Sequence, residues 1–174
     1  MALAELPSAV QYLHSSFEHH AEFVEGRLVQ RPTPAWEHAS MQGFLVRDLW
    51  AICRSVGFFT VPEQRVQTRP DRFRVPDVCV LTDKPEGEHS HRSPGRRIVT
   101  RPPYLCVEIL SPEDTAVETM DKVREYLNFG VAWVWVIDPV SLAGQSHSRT
   151  GAANVEDRVF ATDRFSIDLS KAEF

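Results

Sequence analysis

The sequence predicts a mixed α/β fold, a central sheet flanked by helices. Three observations carry this. Residues 58–83 read as two successive strands; "YLCVEIL" and "VAWVWVIDP" are apolar strands separated by a helical segment; and residues 35–57 repeat apolar side chains at helical spacing. The strand–helix–strand unit implies two parallel neighbours joined by a right-handed crossover.

The elements follow in order. Leu6 to Phe17 predicts a short helix, with Ala9, Val10, Leu13 and Phe17 near helical spacing. "AEFVEGRLVQRPTP" predicts a hairpin turning at Glu25-Gly26 and ended by Pro32 and Pro34. In "AWEHASMQGFLVRDLWAICRSVG" the residues Met41, Phe44, Leu45, Leu49, Ile52 and Val56 predict the inner face of a helix closed by Gly57. "FFTVPEQRVQT" reads as one strand with a proline interruption and "RFRVPDVCVLTD" as a second. Residues 84–101 are polar with Pro and Gly, a loop. In "SPEDTAVETMDKVREYLNFG", Thr115 with Glu118 forms a capping box and Gly130 the stop, with Val117, Met120, Val123 and Leu127 as the buried face. "VAWVWVIDP" is apolar on both faces and so internal to its sheet. "VEDRVFATD" and "RFSIDLS" close the chain as short strands.

Composition bounds the class. The 174 residues suit one domain, 1–174, with 43% hydrophobic and 25% charged residues. No apolar run approaches the roughly 20 residues of a membrane helix, and the N-terminal residues lack the pattern of a secretory signal. Cys53, Cys79 and Cys106 lie among apolar neighbours without C-x-x-C spacing, which reads as reduced packing in a cytoplasmic protein rather than a zinc site. The net charge of −5 is uneven: residues 65–101 hold nine Arg/Lys against five Asp/Glu. That zone could face a phosphate backbone or be a solvated loop.

Two strands share an anomaly. Asp77 and Glu108 are the lone carboxylates on otherwise apolar strand faces, Asp77 with Cys79 and Leu81, Glu108 with Cys106 and Leu110. A buried carboxylate costs several kcal/mol unless compensated. If the strands are neighbours, the two anions repel, and either one takes a proton or a cation joins them. A divalent cation with oxygen ligands resolves this, and Mg²⁺ is commonly held by one or two carboxylates plus water and substrate phosphate. Lys122 lies on a different stripe of its helix from the buried face, where it either approaches Glu108 or forms a surface pair with Glu118. His89-x-His91 and His19-His20 with Glu22 lack a third ligand at metal spacing, and Ser111 lies in no nucleophile elbow.

"VPDVCVL", "LCVEILSPEDT" and "DKVREYLNFGVAWVWVIDP", taken in order with "AEFVEGRLVQRPTPAWEHASMQGFLVRDL", resemble the Uma-type restriction endonuclease family of the PD-(D/E)XK nuclease superfamily. The matching pieces cover most of residues 17–140. The resemblance implies a restriction-endonuclease-like fold with an N-terminal hairpin and helix, and Mg²⁺-dependent hydrolysis of DNA phosphodiesters, with Mn²⁺ as an alternative ion. It implies Asp77 and Glu108 as metal ligands together with the Ile109 carbonyl, Lys122 as the catalytic lysine and Glu22 as an auxiliary acid. His38 and Tyr126 also fall on family positions. Leu110 stands where the E-x-K pattern carries lysine, so Lys122 would act from the following helix. DNA is the implied partner and a homodimer the implied assembly. A nuclease fold serving only DNA binding or protein assembly is the competing reading.

Overall fold

The computed structural model describes Tyr12 and residues 21–31, 33–85 and 98–172. Its elements run β1 (Ala21–Val24), β2 (Arg27–Gln30), α1 (Trp36–Ser55), β3 (Phe59–Pro62), β4 (Val66–Arg69), β5 (Arg72–Arg74), β6 (Val78–Leu81) and β7 (Leu105–Ile109). They continue with α2 (Ala116–Phe129), β8 (Trp133–Ile137), β9 (Gly144–Ser148), β10 (Gly151–Val155), β11 (Val159–Ala161) and β12 (Ser166–Asp168). The expected helix at Leu6–Phe17 lies outside the described residues except for Tyr12, which is helical. The loop histidines His89 and His91, and His19 and His20, lie outside them too.

Six strands form the main sheet in the order β10-β9-β8-β7-β6-β3. β7 and β8 are parallel across the α2 crossover, and β6 runs antiparallel to β7. Alternation sorts the side chains between two layers. Val78, Val80, Leu105, Val107, Trp135 and Ile137 pack with α1 and the β11–β12 hairpin. Cys79, Leu81, Cys106, Val134 and Val136 pack under α2. Cys79 stands directly opposite Cys106, and all three cysteines are buried free thiols.

Both expected central strands are divided. Pro62 ends β3, and β4 belongs to a second sheet of order β2-β1-β5-β4. "RFRVPDVCVL" likewise contributes β5 to that second sheet and β6 to the main one. Proline cannot donate to a ladder, so Pro76 marks the crossing. Asp77 therefore sits in the seam between the sheets, immediately before β6. The β1–β2 hairpin closes at Glu25-Gly26, both with left-handed φ of 50° and 79°, the geometry of a tight two-residue turn.

The helices differ in which face they bury. On α1, Met41, Phe44, Leu45 and Leu49 are inside as expected, but Cys53 and His38 are buried in place of Ile52, which is half-buried, and Val56, which is exposed. On α2 the Thr115 hydroxyl accepts the Glu118 N–H at 3.2 Å and Gly130 takes φ 116°, so both ends stop where expected. Its inner face is rotated, however: Val123, Glu125 and Tyr126 are buried and Val117 is 69% exposed. The rotation arises because α2 covers polar groups as well as core. The β9–β10 hairpin was absent from the sequence expectations. Its residues are small and polar, and Gly144 is required where a Cβ would come within 2.0 Å of the Val136 carbonyl oxygen.

Candidate active site

Register brings the anomalous carboxylates together. Val78 pairs with Val107, so Asp77 and Glu108 occupy the next position along β6 and β7, on the face under α2. Asp77 is 1% and Glu108 5% exposed. Glu22 of β1 joins them, because alternation sends Phe23 into an aromatic cluster with Tyr12 and Phe73 and Glu22 to the opposite face. A cleft of about 540 Å³ opens above all three, with Arg31, His38, Ile109 and Lys122 on its walls.

Backbone and side-chain donors fix Asp77 in the seam. Its carbonyl accepts from Gln42 Nε2 at 3.0 Å and from the Glu63 N–H at 3.2 Å. Glu22 Oε1 accepts the neighbouring Val75 N–H at 3.0 Å. The Asp77 carboxylate is held on Oδ2 by the Ile109 N–H at 2.7 Å and by His38 Nε2 at 3.3 Å, and on Oδ1 by Arg31 Nη2. Burial alone would push the Asp77 carboxyl upward. The His38 hydrogen bond, the Arg31 charge and the Ile109 N–H outweigh it and hold the group below the usual carboxylate range.

Glu108 is shifted the other way. Burial pushes its carboxyl up, Lys122 opposes, and repulsion from Asp77 and Glu22 leaves it raised. Lys122 Nζ donates to Glu108 Oε2 at 2.9 Å and stands 3.8 Å from Glu22 Oε1. The surface pair of Lys122 with Glu118 does not form; Glu118 is engaged by Thr115. The Tyr126 hydroxyl donates to Glu108 Oε1 at 2.7 Å, so a ring that packs in the core also orients the carboxylate. Leu110, in the E-x-K position, packs against the core under α2.

A second polar cluster lies behind the first. Arg74 donates to Glu22 Oε2 at 2.8 Å and to Glu125 Oε2 through Nε at 2.9 Å and Nη2 at 2.8 Å. Arg72 and Thr68 also donate to Glu125, and Arg72 reaches Glu25. The arginines at 72 and 74, expected among those facing phosphates, are thus consumed internally. Arg65 is buried with its guanidinium over Tyr12 at 4.4 Å, and the cleft rim carries Glu113, Asp114, Glu118 and Asp121. Sequence reasoning missed Arg31, Arg74 and Glu125. Charge counting contained the signal, since three carboxylates in apolar strands demand more cations than Lys122 alone.

The donor set suits a hard cation. Asp77, Glu108 and the Ile109 carbonyl are oxygen donors, and repulsion among Asp77, Glu108 and Glu22 is what a dication would relieve. Among the described residues, no three His, Cys, Asp or Glu side chains are placed to hold a metal ion together. Two carboxylates with waters are the arrangement Mg²⁺ accepts, whereas a dehydrated transition-metal cage is not present among these residues.

Among the described residues, no helix is long and apolar enough to cross a membrane. No curated protein matches the sequence. Of solved structures, the chain is similar to "a putative nuclease belonging to DUF820" from Anabaena variabilis ATCC 29413, at 22% identity and a TM-score of 0.72, covering 85% of this chain and 84% of that one. This likeness establishes a shared nuclease-like mixed α/β fold. The Uma2 family model, described as "Putative restriction endonuclease", matches residues 9–169. A match from the first hairpin through the terminal strands spans the cleft and both polar clusters, and the chain belongs to the Uma2 putative restriction endonuclease family.

Proposed function

We propose that the protein is a divalent-metal-dependent endonuclease that hydrolyses DNA phosphodiesters in the cleft above Asp77 and Glu108. The observation that carries this reading is the pairing of two buried carboxylates in adjacent strand positions with Lys122 Nζ 2.9 Å from one of them. Their environments push the two carboxyls apart, Asp77 down and Glu108 up, as in sites that handle protons and cations.

Asp77, Glu108 and the Ile109 carbonyl would hold Mg²⁺ or Mn²⁺. The ion, when bound, supplies Lewis-acid polarisation of the phosphate and acidifies water. The protein's own groups do the positioning. Tyr126 fixes the Glu108 carboxylate through Oε1, and Ile109 N–H and His38 fix Asp77 through Oδ2. Lys122 reaches the cleft from the first two turns of α2, where its ammonium can orient the attacking water or neutralise charge on a phosphate oxygen. Glu22 acts from behind, 3.8 Å from Lys122 Nζ, keeping that ammonium charged and aimed. A two-fold pairing of chains would offer one cleft to each DNA strand, and three free buried thiols suit a reducing, cytoplasmic setting.

The test is cleavage of plasmid and branched DNA with Mg²⁺ and with Mn²⁺. Wild type should cut, and Glu108→Ala and Lys122→Ala should cut far more slowly. Equal cutting by both variants would remove the assignment. The competing reading, a fold retained for binding alone, is favoured by one feature: every oxygen of Asp77 and Glu108 already has a protein donor. Calorimetric Mg²⁺ titration separates the two, since a pure assembly module binds neither metal nor DNA.

A further inference from the structure

Arg31 has no part in the chemistry above, yet it occupies a decisive place. It follows β2, lines the cleft and covers Asp77 Oδ1 with Nη2. Asp77 Oδ2 already carries two donors, Ile109 N–H and His38. Oδ1 is therefore the oxygen through which a cation reaches Asp77, and Arg31 stands on it. The two other carboxylates that line the cleft floor are already engaged by cations of their own. Glu22 is taken by Val75 N–H and Arg74, and Glu108 by Tyr126 and Lys122. An arginine lifted from Asp77 is left in the cleft as a cation needing an anion. A guanidinium fork matches carboxylate and phosphate alike. The described neighbouring cations cannot substitute, because Arg72 and Arg74 are locked on Glu125.

We propose that Arg31 is an exchanging cation: it holds Asp77 while the cleft lacks a divalent ion, and transfers to a backbone phosphate of bound DNA when the ion takes Asp77. This rests on the nuclease reading and adds to it a residue that couples ion binding to substrate binding. Coupling is reciprocal. DNA that draws Arg31 away uncovers Oδ1 and tightens the ion, and the ion frees Arg31 to tighten DNA. In the absence of DNA, Arg31 competes with the ion. The arrangement keeps the carboxylate pair compensated when no substrate is present.

The experiment is calorimetric titration of Ca²⁺ into the full chain, with and without a short DNA duplex whose integrity is checked by gel, for wild type and Arg31→Gln. Without DNA, Arg31→Gln should bind Ca²⁺ about tenfold tighter, and the tightening that DNA produces in wild type should shrink about tenfold, both within the 5–150-fold span of ordinary site coupling. If the glutamine variant fails to fold, Arg31→Lys serves, because a compact ammonium loses the fork grip on phosphate and the coupling still falls. A wild type that binds Ca²⁺, with DNA-induced tightening unchanged in the variant, overturns the exchange and leaves the nuclease reading standing: Arg31 is then a fixed support for Asp77. Absence of Ca²⁺ binding in every chain, with or without DNA, overturns both.

Discussion

Two polar clusters share the interior between the second sheet and α2, and they are built to opposite ends. Around Glu125, donors from Arg74, Arg72 and Thr68 converge on one carboxylate, and nothing there lines the cleft except Arg74. Around Asp77 and Glu108, the compensating cations are Arg31 and Lys122, single long side chains reaching in from a strand end and a helix, and both line the cleft. The first cluster is closed and over-supplied with donors. The second lies on the cleft wall, with a long-chain cation on each carboxylate. Buried ion pairs add little net stability but are costly to break, so removing a partner from either cluster is costly, and the two differ in how far the cleft reaches them.

The comparison can be broken from either side. The largest effect is expected from Asp77→Asn and Glu108→Gln, each lowering DNA cleavage by about 10³-fold, the scale for removing a group that stabilises the transition state, as read from initial rates on plasmid DNA. Arg74→Met should instead strike stability. Leaving Glu125 and Glu22 without their shared partner costs about 3–5 kcal/mol, measured as a lower midpoint in urea unfolding. A midpoint unchanged by Arg74→Met would show that the rear cluster is not structural. Lys122→Met should lower cleavage about 10²-fold while shifting the unfolding midpoint less than Arg74→Met does, at the scale of one positioned charge. Tyr126→Phe removes a buried hydrogen bond to a carboxylate and should cost about 1.5–3 kcal/mol, divided between stability and rate.

Acid sharpens the same contrast with a smaller effect. Glu125 is held below its ordinary range: burial pushes it up, but the hydrogen bonds from Arg74 and Thr68 prevail. Its stabilisation is therefore complete above the unfolded carboxylate value of about 4.3 and is lost as pH falls through the lower folded value. Glu108, raised by burial, has the opposite sign, its cost appearing as pH rises above the unfolded value. Between pH 5 and pH 3, wild type should lose stability more steeply than Glu125→Gln in parallel urea titrations.

The front cluster was more legible in the sequence than the rear one. Asp77 and Glu108 stand out because each interrupts an apolar alternation, a pattern of period two that needs no knowledge of neighbours. Thr115, Glu118 and Gly130 gave both ends of α2 through local capping chemistry. Arg31, Arg74 and Glu125 carry no such local mark. Their meaning depends on two strands dividing between sheets at Pro62 and Pro76, and a proline in a strand pattern does not say where the chain resumes. The same division explains why α2 buries Glu125 and exposes Val117: its apolar stripe was read against a core alone, whereas the helix also covers Arg72 and Arg74. The β9–β10 hairpin escaped because "GQSHS" and "GAANV" lack β-branched density, and they are strands through pairing with β8.

The cross-strand cysteines under the cleft have a practical consequence. Burial raises the Cys79 thiol to about 12 and the Cys106 thiol well above its ordinary value, and Cys53 is raised as well. Reagents that attack thiolates find no ready target in the closed chain. Cys79 and Cys106 lie under α2, so the rate at which they are labelled is a clock for the opening of the layer between α2 and the sheet face that carries Asp77 and Glu108.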